Sequence, residues 1–317
     1  MRISLEQALD ILKDYITPGK TERKSLEECL GLVLAEDVMA QLDMPPFSRS
    51  AQDGYAFRSK DSEGASKEQP VRLKVTGKIY AGDFPKKEVN PGEAIRIMTG
   101  AMIPAGADCV LRQEDTDEGE EIVQIYKETE AGCSICFKGE EYKKGHILLR
   151  AGTKIDAAAL AVASGNGIVE LPVYARVKAA VVSFGSEVVE PGTPLTPGKI
   201  YNTNTIYMKA RLKQLGANVV MTRTVGDELG IMREALNEAA SQSELVVTTG
   251  GVSVGQKDLT EEALLSIGAK ILFHGIAVKP GMPTLAAEKN GVLFLGLSGI
   301  RFLQRFPLKC SYVRFWQ

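Results

Sequence analysis

From Ala175 onward, short apolar runs alternate with amphipathic stretches. Val177–Val182 reads as a strand, and Asn204–Leu215 as a helix with Met208, Leu212 and Leu215 on one side. Val219–Met221 is the next strand. Gly226-Asp227 then leads into a helix whose inner face is Leu229, Met232, Leu236 and Ala239. Leu245–Thr249, Ile271–Phe273 and Val292–Leu295 complete the apolar, β-branched runs. Strands separated by helices of this length predict parallel pairing with right-handed crossovers. Ligands of such sheets bind at the carboxyl ends of the strands.

The N-terminal half has another texture. Leu5, Ala8, Leu9, Leu12 and Ile16 form a helical stripe over residues 4–16, and Ser4 with Gln7 makes a capping box. Gly31 and Pro45-Pro46 then punctuate strand-like segments. From Pro70 to about Lys127, β-rich runs (VRLKVTG, AIRIMTG, DCVLRQ, EIVQIY) alternate with Gly and Pro turns. This predicts a small all-β domain. Ala157–Ala163 favours helix and is closed by Ser164-Gly165-Asn166-Gly167. The predicted fold class is therefore a multidomain α/β chain. An N-terminal helical or linker region (1–26 with 140–175) carries an inserted all-β domain (27–139). A three-layer α/β domain with a mainly parallel sheet (176–299) follows, then a tail (300–317).

After Leu245–Thr249 the pattern breaks at Gly250-Gly251, continues through Ser253 and Gly255, and enters a helix after Asp258. A glycine turn between strand and helix bares backbone N–H groups beside a positive helix end, which suits phosphate. No P-loop ending is present, nor a dinucleotide fingerprint. A plain tight turn is the competing reading. Thr248, Thr249, Ser253 and Asp258 tip the balance, since hydroxyls and a carboxylate offer phosphate donors and a cation ligand. Glu187, Asp227 and Asp258 each follow a predicted strand, so all three are expected around one anion site. Acids beside a phosphate call for a divalent cation, magnesium by its chemistry, and Lys279 can neutralise remaining charge. Taken singly, Asp227 and Asp258 also suit helix N-termini. Asp53-Gly54 alone reads as a turn, and Thr99 as either a ligand hydroxyl or a strand end.

The totals narrow the class. A chain of 317 residues exceeds one ordinary core. Its formal charge of −2 provides no general attraction to nucleic acid or an anionic membrane. The N-terminus mixes acidic with apolar residues and lacks a small-residue cleavage site, so no signal peptide is expected, and no run of about 18 apolar residues predicts a membrane span. Five scattered cysteines, Cys29, Cys109, Cys133, Cys136 and Cys310, fit a reducing cytoplasm. The Cys133–Cys136 spacing lacks a second ligand pair and reads as incidental.

Six words, PPFSRSAQDGYA, RIMTGAMIPAGAD, KGEEYKKG, SFGSEVVEPG, TTGGVSVGQKD and AVKPGMP, occur in the order and spacing of the molybdopterin molybdenumtransferase family. The chain resembles these MoeA proteins, and the gephyrin E domain, from residue 1 to about 299. The resemblance implies that adenylylated molybdopterin and molybdate are taken up, the adenylyl phosphate bond is split with Mg2+, AMP leaves, and molybdenum goes to the dithiolene sulfurs. It also implies a homodimer, with the α/β domain of one subunit facing the N-terminal domains of the other, and the molybdopterin adenylyltransferase as a candidate partner. By position, Asp53 and Thr99, with Glu141 nearby, would line the site from the N-terminal domains. Glu187, Asp227, Asp258 and Lys279 would line it from the α/β domain. Thr249, Gly250, Gly251, Ser253, Gly255 and Ser298 would hold the pterin phosphate, and Glu187, Asp227 and Asp258 the metal.

Four positions depart from the family's pattern. Phe184 replaces a threonine, Ser186 a frequent aspartate, Met282 a basic residue, and Glu141 an aspartate. Beyond Gly299 the chain reads IRFLQRFPLKCSYVRFWQ, basic and aromatic, where the family continues into a further small β domain. This shift reads as a changed frame or an early stop; a natural tail docking on the partner subunit is the other reading. Two other functions stay open. One is a molybdopterin-binding scaffold without turnover. The other is a nucleotide pyrophosphatase of the competence-damage-inducible type, which resembles only the α/β domain.

Overall fold

The computed structural model describes residues 2–16, 19–251, 259–277 and 283–297. Helix α1 (Leu5–Lys13) starts where the capping box predicts. Ser4 Oγ accepts the Gln7 N–H at 3.2 Å, and Gln7 Oε1 accepts the Ser4 N–H at 2.8 Å. Strand β1 (Thr21–Ser25) follows and will pair antiparallel with a strand far along the chain.

The chain then builds a five-stranded sheet from β2 (Gly54–Phe57), β3 (Val71–Ile79), β4 (Glu93–Ile97), β5 (Cys109–Arg112) and β6 (Ile122–Ile125). Their order is β5-β2-β4-β3-β6, with only β3 and β4 parallel. Both faces are covered. Tyr55, Phe57, Leu73, Leu111 and Val123 pack on one side, and Ala56, Ile79, Ile95, Ile97 and Val110 on the other. That explains why Gly54–Phe57 is apolar at every position rather than alternating. Gly54 has a local reason too, since a Cβ there would sit 1.9 Å from the Leu111 carbonyl oxygen.

Helix α2 (Ala157–Gly165) follows, with Asp156 Oδ1 accepting the Ala159 N–H at 2.8 Å at its start. Strand β7 (Glu170–Tyr174) closes the pair with β1. The α/β part comprises β8 (Lys178–Phe184), α3 (Asn204–Gln214), β9 (Asn218–Val225), α4 (Leu229–Gln242), β10 (Leu245–Thr249), α5 (Thr260–Ser266), β11 (Lys270–His274), β12 (Thr284–Lys289) and β13 (Val292–Leu297). The sheet order is β9-β8-β10-β13-β12-β11. Helix α3 contributes Met208 and Leu212 to the cluster with Ala179 and Val181, as does α1 with Ala8 and Leu12. Helices α4 and α5 contribute Met232, Leu236 and Leu264 to the opposite cluster with Ala180 and Val182. Alternate residues of β8 thus feed two cores, giving the three layers expected from the sequence.

The sheet is mainly parallel, as the sequence predicts, with β12 as its reversed strand. Strands β8, β9, β10 and β13 pair in parallel, but β11 and β12 are antiparallel to their neighbours. Strand β12 is absent from the sequence reading above. It forms a hairpin with β13 through Asn290-Gly291, both at positive φ (51° and 81°), the two-residue turn that matches strand twist.

Contacts cluster the chain into two compact units, 1–36 with 150–161 and 169–317, and 37–149 with 162–168. No helix of the described residues is long and apolar enough to cross a membrane.

Candidate functional site

In the α/β unit, three strands end side by side. Phe184 of β8 pairs with Val225 of β9, and Ser183 with Thr249 of β10. The loops leaving these ends carry Gly185-Ser186-Glu187, Gly226-Asp227 and Gly250-Gly251. After β8 the chain goes to β9 by way of α3 on one face, and β9 reaches β10, across β8, by way of α4 on the other. The crossovers therefore change sides around β8, which makes this edge the topological switch point of the sheet.

The Gly250-Gly251 turn is dictated by close approach. Gly250 lies at φ +88°, and a Cβ there would stand 2.2 Å from the Phe184 carbonyl oxygen. Gly251 lies at φ +60°, with its Cβ position 2.8 Å from Thr260 Oγ1. Any side chain at 250 would drive β8 and β10 apart. Phe184 itself is buried in the apolar cluster beneath α4, so the phenylalanine at this position fills core.

Asp227 and Ser186 lock the first two loops together. The Asp227 carboxylate accepts the Ser186 N–H at 2.9 Å, and Ser186 Oγ accepts the Asp227 N–H at 3.2 Å. Lys199 Nζ donates to the Ser186 carbonyl at 2.6 Å. Serine thus has its own partner at this position, and Glu187 follows directly on the locked turn.

Beneath the loops lies a largely buried polar network, and it corrects one expectation: the Thr249 hydroxyl, read from the sequence as a phosphate donor, is 1% exposed and belongs to this network. Ser183 Oγ is 2.6 Å from Thr205 Oγ1 and 2.8 Å from Thr249 Oγ1. Asn202 Nδ2 reaches Thr224 Oγ1 at 2.7 Å, Thr205 Oγ1 at 2.9 Å and Glu190 Oε1 at 3.1 Å. Its Oδ1 accepts the Thr205 N–H at 3.0 Å. The run Asn202-Thr203-Asn204-Thr205 carries a helix-capping signal, but its link to Glu190 and Thr224 depends on the fold. Thr248 Oγ1, by contrast, is buried with no hydrogen-bond partner among the described residues.

In the other unit, Asp53 and Thr99 form a pair of their own. Asp53 Oδ1 accepts the Thr99 hydroxyl at 2.6 Å and the Thr99 N–H at 2.7 Å. The hydroxyl bond first, then the amide, holds the Asp53 carboxyl below the usual carboxylate range, with the field of Arg96 adding to it. Glu141 is exposed, its N–H donating to the Met44 carbonyl. Ser253, Gly255, Asp258, Lys279, Met282, Ser298 and the tail from 300 lie outside the described residues. Among the described residues, no group of three or more His, Cys, Asp or Glu could hold a metal ion.

Residues 3–167 match the MoeA N-terminal region (domain I and II), and residues 180–302 match a probable molybdopterin binding domain. The chain is 41% identical over 297 residues to the molybdopterin molybdenumtransferase of Staphylococcus epidermidis, covering 94% of this chain and 71% of that protein. The chain belongs to the molybdopterin molybdenumtransferase family. A Bacillus subtilis member is 36% identical over 301 residues, covering 94% of this chain and 70% of its own length. Two crystal structures of a molybdopterin biosynthesis MoeA protein from Pyrococcus horikoshii superpose with TM-scores of 0.87 and 0.85, at 33% and 30% identity, covering all of this chain and 80% and 79% of theirs. Membership of this molybdenumtransferase family makes the chain an enzyme of molybdenum cofactor biosynthesis.

Proposed function

We propose that the enzyme inserts molybdate into adenylylated molybdopterin, splitting the adenylyl phosphate bond with Mg2+ and releasing AMP. The observation that carries this reading is the convergence of the Glu187, Asp227 and Gly250-Gly251 loops on one strand edge at the switch point. The Gly250-Gly251 turn lies against the start of α5, the Gly251 carbonyl accepting the Thr260 N–H at 3.4 Å, and its lack of side chains would leave room for a phosphate there. Asp227, bound to the Ser186 N–H, fixes the turn that presents Glu187.

The donor set suits magnesium. Mg2+ takes hard oxygen ligands, with one or two carboxylates completed by water and substrate phosphate, and Glu187 and Asp227 supply such oxygens. Asp258 would join them. The bound ion would spread the charge that develops on the phosphate oxygens. Lys279 would neutralise charge on the leaving phosphate, and Ser253, Gly255 and Ser298 would hold the pterin phosphate; the Thr249 hydroxyl, buried and bonded to Ser183, would support them from below. The buried Ser183–Thr205–Thr249 hydroxyls and Asn202 keep β8, β9 and β10 in fixed register beneath the site. Asp53, whose carboxylate is held ionised by Thr99, would act from the partner subunit of a homodimer, with Glu141 nearby. Phosphoryl chemistry of this kind is mostly positioning and charge stabilisation.

The described cysteines Cys29, Cys109, Cys133 and Cys136 are free thiols, in keeping with a cytoplasmic reaction. A molybdopterin adenylyltransferase would then be the partner that supplies the substrate.

The test is AMP release from adenylylated molybdopterin, with and without magnesium and molybdate, by the chain and its Asp227→Ala and Asp258→Ala variants. Molybdate-stimulated release that both variants lose supports the transfer reaction. Substrate binding without release would overturn it in favour of a scaffold, and AMP release from ADP-ribose in favour of a pyrophosphatase.

A further inference from the structure

The five-stranded sheet carries a cavity that the transfer reaction does not use. We propose that this cavity is a second ligand site, selective for a nucleoside phosphate. Its volume is about 380 Å³ and its lining includes Thr76, Gly77, Lys78, Phe84, Lys86 and Lys87. Strand β3 makes one wall. Between Val75 and Lys78 its register against β4 shifts by one residue, a bulge that takes Thr76 and Gly77 out of the regular ladder. Bulges of this kind re-aim side chains next to binding sites.

The charge of the cavity contrasts with the chain. Overall the protein carries a formal −2. Three lysines line this cavity against one acid, Asp83. That carboxylate is already engaged, accepting the Tyr80 N–H at 3.0 Å to close a turn. The nearby Glu93 accepts both the backbone and side-chain N–H groups of Asn90. Lys87 Nζ donates to the Thr76 carbonyl at 2.9 Å, which pins one ammonium to the wall. Lys78 Nζ stands 5.1 Å from the centre of the Tyr80 ring. Three ammonium groups against one lining carboxylate leave the cavity net positive, which suits a phosphate.

Size and apolar lining argue for more than a phosphate. The volume falls in the range of organic-ligand pockets and far exceeds one inorganic anion. Ile79 and Ile95 supply apolar floor. Phe84, 75% exposed, presents a bare aromatic ring beside the lysines. An aromatic platform next to cations is the chemistry that recognises a stacked base joined to a phosphate. Gly77 shapes the space as well. A Cβ there meets no atom within 4 Å, so a larger side chain can occupy the cavity without backbone conflict.

The experiment uses the full chain with its single tryptophan, Trp316, replaced by phenylalanine and a reporter introduced by Phe84→Trp. Fluorescence is titrated with AMP, adenosine and inorganic phosphate. The expected result is quenching by AMP at a concentration about tenfold below that needed for either fragment. Lys86→Gln, an exposed change, and Gly77→Leu should each weaken AMP quenching about fivefold or more, with molybdate-stimulated AMP release unchanged. Hydrogen exchange on the unsubstituted chain should show AMP protecting peptides covering 74–79 and 83–89. No quenching at millimolar AMP and low salt, quenching indifferent to both substitutions, or protection confined to the α/β unit would each overturn the proposal. Inorganic phosphate competing as well as AMP would overturn the nucleoside assignment.

Discussion

Replacing Gly250 by alanine tests how the strand edge is built. Two costs add there. Placing a non-glycine residue at φ +88° costs about 1–2 kcal/mol from the contact of Cβ with its own backbone. The new Cβ also lies 2.2 Å from the Phe184 carbonyl oxygen, about 1 Å inside an acceptable contact. Since backbone rather than a flexible side chain blocks it, β8 must shift and Phe184 must repack in its cluster. Overpacking of that kind costs about 1–3 kcal/mol more. The sum, about 2–5 kcal/mol, is a large part of the about 5–15 kcal/mol that stabilises a typical domain. Gly152→Ala is the control, because Gly152 lies at φ +81° in the same contact unit with nothing within 4 Å of its Cβ position. It should lose only about 1–2 kcal/mol. Peptide-resolved hydrogen exchange in urea, read on the β8 and β10 amides, follows this unit alone and avoids assuming one transition for a two-unit chain. Equal destabilisation by the two substitutions would refute the close-approach argument, leaving backbone conformation as the sole reason for glycine at 250.

Asn202→Ala should destabilise the same amides by about 1–3 kcal/mol, since it leaves the buried Thr205 N–H without its acceptor and removes the amide that ties Thr205 to Thr224 and Glu190; a loss under about 0.5 kcal/mol would show that the network does not hold the strand ends. The Asp53 carboxyl, titrated by carbon NMR, should show a midpoint below the ordinary value of about 3.9, and Thr99→Val should move it back upward. Because the folded pKa is depressed, the stabilisation is fully present above the unfolded value and is lost as pH falls through the folded one. Burial pushes the Cys109 thiol well above its ordinary range, while Cys133 is exposed. Iodoacetamide at pH 8 should therefore alkylate Cys133 well before Cys109 in the native chain, as mass spectrometry of the peptides would show.

Local signals in the chain were strong wherever one segment could satisfy its own pattern. The Ser4–Gln7 cap, the two-faced strand Lys178–Phe184, and the helix with Met232 and Leu236 are written in neighbouring residues. The six family words carried the family in the same way, because each is a continuous stretch of residues. Asn290-Gly291 carries a hairpin-turn signal that the sequence reading passed over, because Thr284–Lys289 lacks the alternation that marks a strand. Antiparallel β12 is buried over its first four residues, and that erases the period. Tertiary structure alone decided what those residues meet. That Gly250 must be glycine follows from a carbonyl on β8, 66 residues earlier in the chain by the register of Ser183 with Thr249. That Ser186 can replace an acid follows from Asp227 reaching back to its N–H. Lys78, Lys86 and Lys87 share no motif in the linear chain, and line one cavity only because β3 bulges and the loop at Phe84 folds beside it. Periodicity records which face of a segment avoids water, whereas partners across strands depend on distances that only the closed chain sets.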